Sequence, residues 1–111
     1  MSMRWKVRLS DDAQQDFDDI IVWTIKRFSA LQATLYADVL TAAIGELDEG
    51  PQLPGARGLC VDGRDYFILH VARHGRKGRH FLVFRVKDAR QRILEVARIL
   101  HDAMDAPRHL R

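Results

Sequence analysis

From Ser10 to Gly50 the apolar residues of this chain recur every three or four positions with one interruption, and that spacing narrows the local structure to helix. Ala13, Phe17, Ile20, Ile21, Thr24 and Phe28 mark one face of a helix over roughly residues 11–28. Ser10 offers a hydroxyl to cap its start, and Asp11 and Asp12 suit the positive end of its dipole. Ser29-Ala30 breaks the period briefly. Leu31, Leu35, Tyr36, Val39, Leu40, Ala43, Ile44 and Leu47 resume it as far as Gly50-Pro51, a strong stop signal. Two helices with so short a link predict a helical hairpin.

The flanks follow a different period. Met3, Trp5, Val7 and Leu9 alternate with Arg4, Lys6 and Arg8, the pattern of a half-buried strand. Tyr66 to Ala72 and Phe81 to Val86 are rich in aromatic and branched residues. Between them lies a glycine-containing turn carrying Arg73, His74, Arg76, Lys77, Arg79 and His80, which predicts a β-hairpin with a basic tip. Ile93 to His101 fits either a helix or a strand covered on both faces, and periodicity leaves both open. One strand, two helices and about three more strands predict an α+β fold. The two-helix hairpin would then pack on one face of an antiparallel sheet of about four strands.

With 111 residues, 47% of them hydrophobic, the chain suits one domain spanning residues 1–111. It is too apolar for a disordered segment, and no apolar run is long enough to span a membrane. The lone Cys60 excludes an internal disulfide, which fits a cytoplasmic protein, and it reads as a buried structural thiol. The net charge of +3 conceals a division along the chain. Residues 10–50 hold nine carboxylates against Lys26 and Arg27, whereas residues 57–92 hold ten Lys and Arg against Asp62, Asp65 and Asp88. Such a split points either to an acidic partner or to ion pairs made when the two halves fold together.

Enzymatic signatures are sparse. The five histidines form no helical metal pair, one cysteine builds no zinc cage, and the glycines form no phosphate-cradling loop, so no metal and no cofactor is expected. Asp11, Asp12, Asp16, Asp18 and Asp19 share half of one helix and read as a solvated acidic face. Val22, Trp23 and Ile25 fall off the main apolar stripe, a surplus that suits either the second helix or a protein partner.

The C-terminal run Arg98-Ile99-Leu100-His101-Asp102-Ala103-Met104-Asp105-Ala106-Pro107-Arg108-His109-Leu110 resembles the terminal signature of ParE toxins in the RelE/ParE superfamily of bacterial toxin–antitoxin modules. Leu9-Ser10 with Ala13 and Asp16 looks like that family's entry to its first helix, and Trp23 stands where an aromatic is usual. Tyr36 to Leu47 with Gly50-Pro51 looks like its second helix and exit, so the resemblance spans roughly residues 5–110. It implies a RelE-like fold with residues 93–101 as a strand in the centre of the sheet. It also implies a toxin that inhibits DNA gyrase and is held silent, in a hetero-oligomer, by a ParD-like antitoxin that folds on binding. The 73–80 turn is longer and more basic than the resemblance implies.

Carried onto this sequence, the signature assigns Arg98, His101, Asp105 and Arg108 to inhibition of the target. An alternative for Arg98 is a carboxylate partner such as Asp105 that holds the tail down. Val22, Trp23, Ile25 and Phe28 are the expected antitoxin contacts, and Arg73, Arg76, Lys77 and Arg79 the basic hairpin that steers toward an acidic segment or DNA-bound gyrase. The alternative function is that of a RelE-like ribosome-dependent mRNA endonuclease. That chemistry needs a base, an acid and cations, for which Arg57, Arg64, Arg85, Arg98 and His101 are the available groups. No Lys or Tyr follows Lys87 to complete the set.

Overall fold

The computed structural model describes residues 4–110 and contains five strands and two long helices. Strand β1 is Lys6–Leu9; Met3, expected to open it, lies outside the described residues. Helix α1 is Asp11–Arg27, with the Ser10 hydroxyl accepting the Ala13 N–H at 3.0 Å, and acidic residues occupy its first turn. Helix α2 is Ala30–Glu46, capped in the same way by Ser29 and Gln32 N–H. A 3₁₀ turn, Leu47–Glu49, ends at Gly50, whose φ of 95° only glycine adopts freely. The Trp5 indole lies so close to Gly50 that a methyl group there would overlap it.

The remaining strands are β2 (Arg57–Val61), β3 (Arg64–His70), β4 (His80–Asp88) and β5 (Ile93–His101), and a short helix α3 (Ala106–His109) follows. The sheet order is β1-β5-β4-β3-β2, so there are five strands rather than about four. β1 lies parallel to β5, and every other pair is antiparallel. β5 is an interior strand, but β4 rather than β5 is the middle one. The strand that sequence periodicity overlooks is β2. It is an edge strand with mostly exposed residues, and its turn, Asp62-Gly63, has positive φ at both positions as an Asp-Gly hairpin requires. Cys60 lies on this edge and is exposed, not buried, because alternation along β2 turns Val61 inward instead.

Both faces of the sheet are covered. Leu94, Val96, Ile99, Leu82 and Phe84 pack under the helices with Ala13, Leu40, Ala43 and Leu47. On the other face Tyr66, Val83 and Leu100 meet Ala106, with Leu110 alongside, so the C-terminal segment closes the side away from the helices. No helix among the described residues is long and apolar enough to cross a membrane.

Candidate functional site

β1 is only four residues long, so it pairs with β5 from Ile93 to Val96 and no further. Beyond that point the edge of β5 needs other partners, and α1 supplies them. Ser10 N–H donates to the Val96 carbonyl at 3.0 Å, and the Ser10 hydroxyl donates to the Ala97 carbonyl at 2.8 Å. Asp16 accepts the Ile99 N–H at 2.9 Å. Ala97 is the extra residue of a β-bulge, since Val83 pairs with Arg98 while Phe84 pairs with Val96.

Asp16 also takes Arg98 in a two-point ion pair, Nε to Oδ2 at 2.8 Å and Nη2 to Oδ1 at 3.0 Å. Those hydrogen bonds hold the guanidinium pKa above its ordinary value. Arg98 Nη1 donates further to the His109 carbonyl at 3.2 Å, which ties down the C-terminal segment. The partner of Arg98 is therefore Asp16, not Asp105. Asp16 correspondingly leaves the solvated acidic face expected of it, its side chain being 15% exposed.

At the far end of β5, His101 lies edge-on to His80 with ring centroids 5.3 Å apart. His80 Nδ1 is 2.6 Å from the Tyr36 hydroxyl, which accepts the Arg79 N–H at 3.0 Å and so has its own proton free for that nitrogen. Burial, with the nearby His101, pushes the His80 pKa down to about 4, so the ring is neutral at physiological pH. Burial likewise raises the Tyr36 pKa. Asp102 accepts from His70 Nε2 at 3.0 Å, a bond that lowers its pKa, and it also faces His101 and Arg79.

His80 and His101 together separate two adjoining cavities. One, of about 270 Å³, is walled by Trp23, Phe28, Gln32, Tyr36 and Arg79 and is mostly apolar. The other, of about 210 Å³, is bounded by Asp16, Arg98, Met104 and His109. The structure thus brings two sets of expected residues to one groove: Trp23 and Phe28 on one side of His101, Arg98 on the other. Asp105 and Arg108 do not join it. Both are exposed on the segment that turns to the opposite sheet face. Tyr36, His80 and Gln32 complete the groove unannounced, because the sequence pattern reads Tyr36 only as part of the apolar stripe of α2 and His80 only as part of the basic turn, and gives Gln32 no signal.

The hydrophobic surplus of α1 divides in two. Trp23, 59% exposed, meets Phe28 edge to face at 5.8 Å beside the groove. Val22 and Ile25 are exposed on the side of the helix turned away from the sheet.

The basic turn is not a free tip. Glu46, the last residue of α2, gathers Arg73 Nε at 3.2 Å, Arg76 Nη2 at 2.8 Å and His74 Nε2 at 2.7 Å. Burial alone would raise the Glu46 pKa, but the bonds from Arg73 and His74 outweigh it and hold the group lower. A carboxylate at a helix C-terminus is unfavourable by itself, and these donors offset that. Lys77 and Arg79 stay exposed, so only half of the expected steering charge is available. On the sheet, Glu95 similarly takes Arg85 at 3.1 Å and Lys87 at 3.0 Å. Glu46, Asp16 and Asp48 thus carry the acidic half of the chain into contact with cations elsewhere. Among the described residues no group of three or more His, Cys, Asp or Glu converges on a metal position.

The family model described as ParE toxin of type II toxin-antitoxin system, parDE, matches residues 7–106. Among solved structures, the chromosomal ParDE toxin–antitoxin system of P. aeruginosa is similar at 17% identity and a TM-score of 0.59, covering 90% of this chain and 98% of that one. The RelBE2 toxin–antitoxin complex of Mycobacterium tuberculosis is similar at 20% identity and a TM-score of 0.56, covering 88% and 98%. At those identities the likeness is one of fold. Among curated protein sequences none matches.

Proposed function

Because the chain belongs to the ParE toxin family of type II toxin–antitoxin systems, we propose that it inhibits DNA gyrase and is neutralised by a co-encoded ParD-like antitoxin. The observation that carries this reading over RNA cleavage is the state of its cations. Arg98 is neutralised by Asp16 and Arg85 by Glu95, so two of the four arginines that a cleavage site could set against a developing phosphorane charge are already held.

The groove supports the antitoxin half of the proposal. Its aromatic wall, Trp23 and Phe28, offers the kind of anchor that peptide partners use, and the cation Arg79 stands at its rim. His101 borders both cavities, so a segment filling the Trp23 side covers His101 and part of the approach to Arg98. Neutralisation then follows from simple occlusion.

The second reading, RNA cleavage, is favoured by one cluster. A neutral His80, the half-exposed His101 and the Tyr36 hydroxyl lie beside Arg79, a set able to move a proton near a phosphate. A gyrase supercoiling assay run beside a cell-free translation reaction separates the two. Loss of supercoiling with intact mRNA supports gyrase inhibition, whereas cleaved mRNA with normal gyrase overturns it in favour of His101 and Tyr36 chemistry.

A further inference from the structure

The sheet face away from the helices is covered only in part. The C-terminal segment closes it over Tyr66, Val83 and Leu100. The rest carries cations. Lys6 and Arg8 alternate with Val7 and Leu9, which pack toward the helices, so both project from the other side. Arg85 and Lys87 do the same on β4, flanking Val86. Arg64 stands opposite Val61, which lies in the cluster under the C-terminal segment, and shares its face. The carboxylate among them is Glu95, in register with Arg8 but bonded to Arg85 at 3.1 Å and Lys87 at 3.0 Å. Lys6, Arg8 and Arg64 are exposed and form no ion pair among the described residues. At the turns bounding this face, Asp88 holds the Gln91 N–H at 3.0 Å and Asp62 follows β2, while Asp65 projects from the other side of β3.

The β3–β4 ladder stops at Phe67 and Phe84, although β3 reaches back to Arg64 and β4 on to Asp88. The strands part there around a cavity of about 450 Å³ that Arg64, Tyr66 and Arg85 line. Tyr66 is 7% exposed, yet its hydroxyl has no hydrogen-bond partner among the described residues and is not sealed in the core. A phosphate oxygen entering between the two arginines would meet that donor.

Among the described residues every exposed large hydrophobic belongs to the helical hairpin, apart from Met104. The basic face therefore lacks the apolar anchor of a protein interface, and it offers no exposed aromatic on which single-stranded bases could stack. Lys6 and Arg8 lie about 7 Å apart along β1, the axial rise of two phosphates on one strand of a duplex. β1 and β3 are three strand spacings apart, about 14 Å, close to the ~12 Å width of the major groove of B-form DNA. We propose that this face binds the phosphate backbone of duplex DNA without regard to sequence, β1 on one strand and Arg64 on the other. The inference stands apart from the gyrase reading, since its ligand is DNA alone.

Fluorescence anisotropy of a labelled, arbitrary DNA duplex titrated with the full chain tests it. With about four phosphate contacts, affinity should fall about 100-fold between about 50 and 200 mM salt. Arg8→Gln with Arg64→Gln weakens binding about tenfold at low salt and flattens the logarithmic salt slope by about 2, with an unchanged circular dichroism spectrum. Lys26→Gln with Arg27→Gln, which removes the same charge from the end of α1, changes affinity by less than about twofold. Four results overturn the proposal: no binding at low salt, affinity indifferent to salt, equal losses in the two double variants, or competition by single-stranded DNA, duplex RNA or polyglutamate that matches competition by the DNA duplex.

Discussion

Asp16 on α1 and Arg98 on β5, 82 positions apart, close on each other through two hydrogen bonds, while the same carboxylate accepts the Ile99 N–H. One side chain thereby does for the edge of β5 what a longer β1 would have done with its backbone. It also positions Arg98 to hold the His109 carbonyl.

Replacing Asp16 by Ala leaves a half-buried guanidinium and a strand N–H without their acceptor. The expected loss is about 2–3 kcal/mol of stability, read as a lower urea midpoint. Asp16→Asn, which keeps one acceptor oxygen, should lose less. Equal midpoints for wild type and Asp16→Ala would refute the assignment.

Stability should fall on mild acidification. The folded His80 ring stays neutral until about pH 4, whereas an unfolded histidine takes up its proton near 6.5. Between those values the unfolded chain binds more protons, so the folded state weakens as pH drops through that window. Glu46 and Glu95 have lowered pKa values, and their contribution is lost only below the ordinary carboxylate value. Urea midpoints at about pH 7, 6 and 5 should therefore decline in the wild type and flatten in His80→Gln.

Trp23→Asp should weaken antitoxin binding by about 2 kcal/mol or more while the isolated chain stays folded, because Trp23 is an exposed aromatic at the groove mouth. Calorimetric titration with the cognate antitoxin measures it. Unchanged affinity would move the antitoxin off this groove.

Charge reversal in the basic turn should divide its residues into two groups. Lys77→Glu with Arg79→Glu should slow association with an acidic target, more at low salt than at high salt, without altering stability. Arg73→Glu or Arg76→Glu should instead destabilise the fold, since each places a second carboxylate against Glu46. Rapid-mixing kinetics and urea denaturation distinguish the two outcomes.

The helices were legible in the sequence because each buries one stripe and starts at a serine whose cap is local. β5 was ambiguous for a physical reason. Leu94, Val96 and Ile99 face the helices while Leu100 faces the other layer, and the bulge at Ala97 shifts the alternation between them. β2 escaped because an exposed edge strand has little hydrophobic signal, although its Asp62-Gly63 turn was in plain view. The groove depended on contacts no spacing encodes: Tyr36 to His80 is 44 residues, Asp16 to Arg98 is 82, and Glu46 reaches Arg76 across 30.

The first strand of this chain hydrogen-bonds to the last. A ribosome making the protein therefore releases Lys6–Leu9 long before Ile93–Val96 exists to receive it, and contacts of such long range form slowly. Until residue 99 has left the exit tunnel, Asp16 has neither Arg98 nor the Ile99 amide to hold. The nascent protein is thus without its groove until β5 has emerged. The α1 wall of the groove is therefore made as a finished helix well before the strand that completes it.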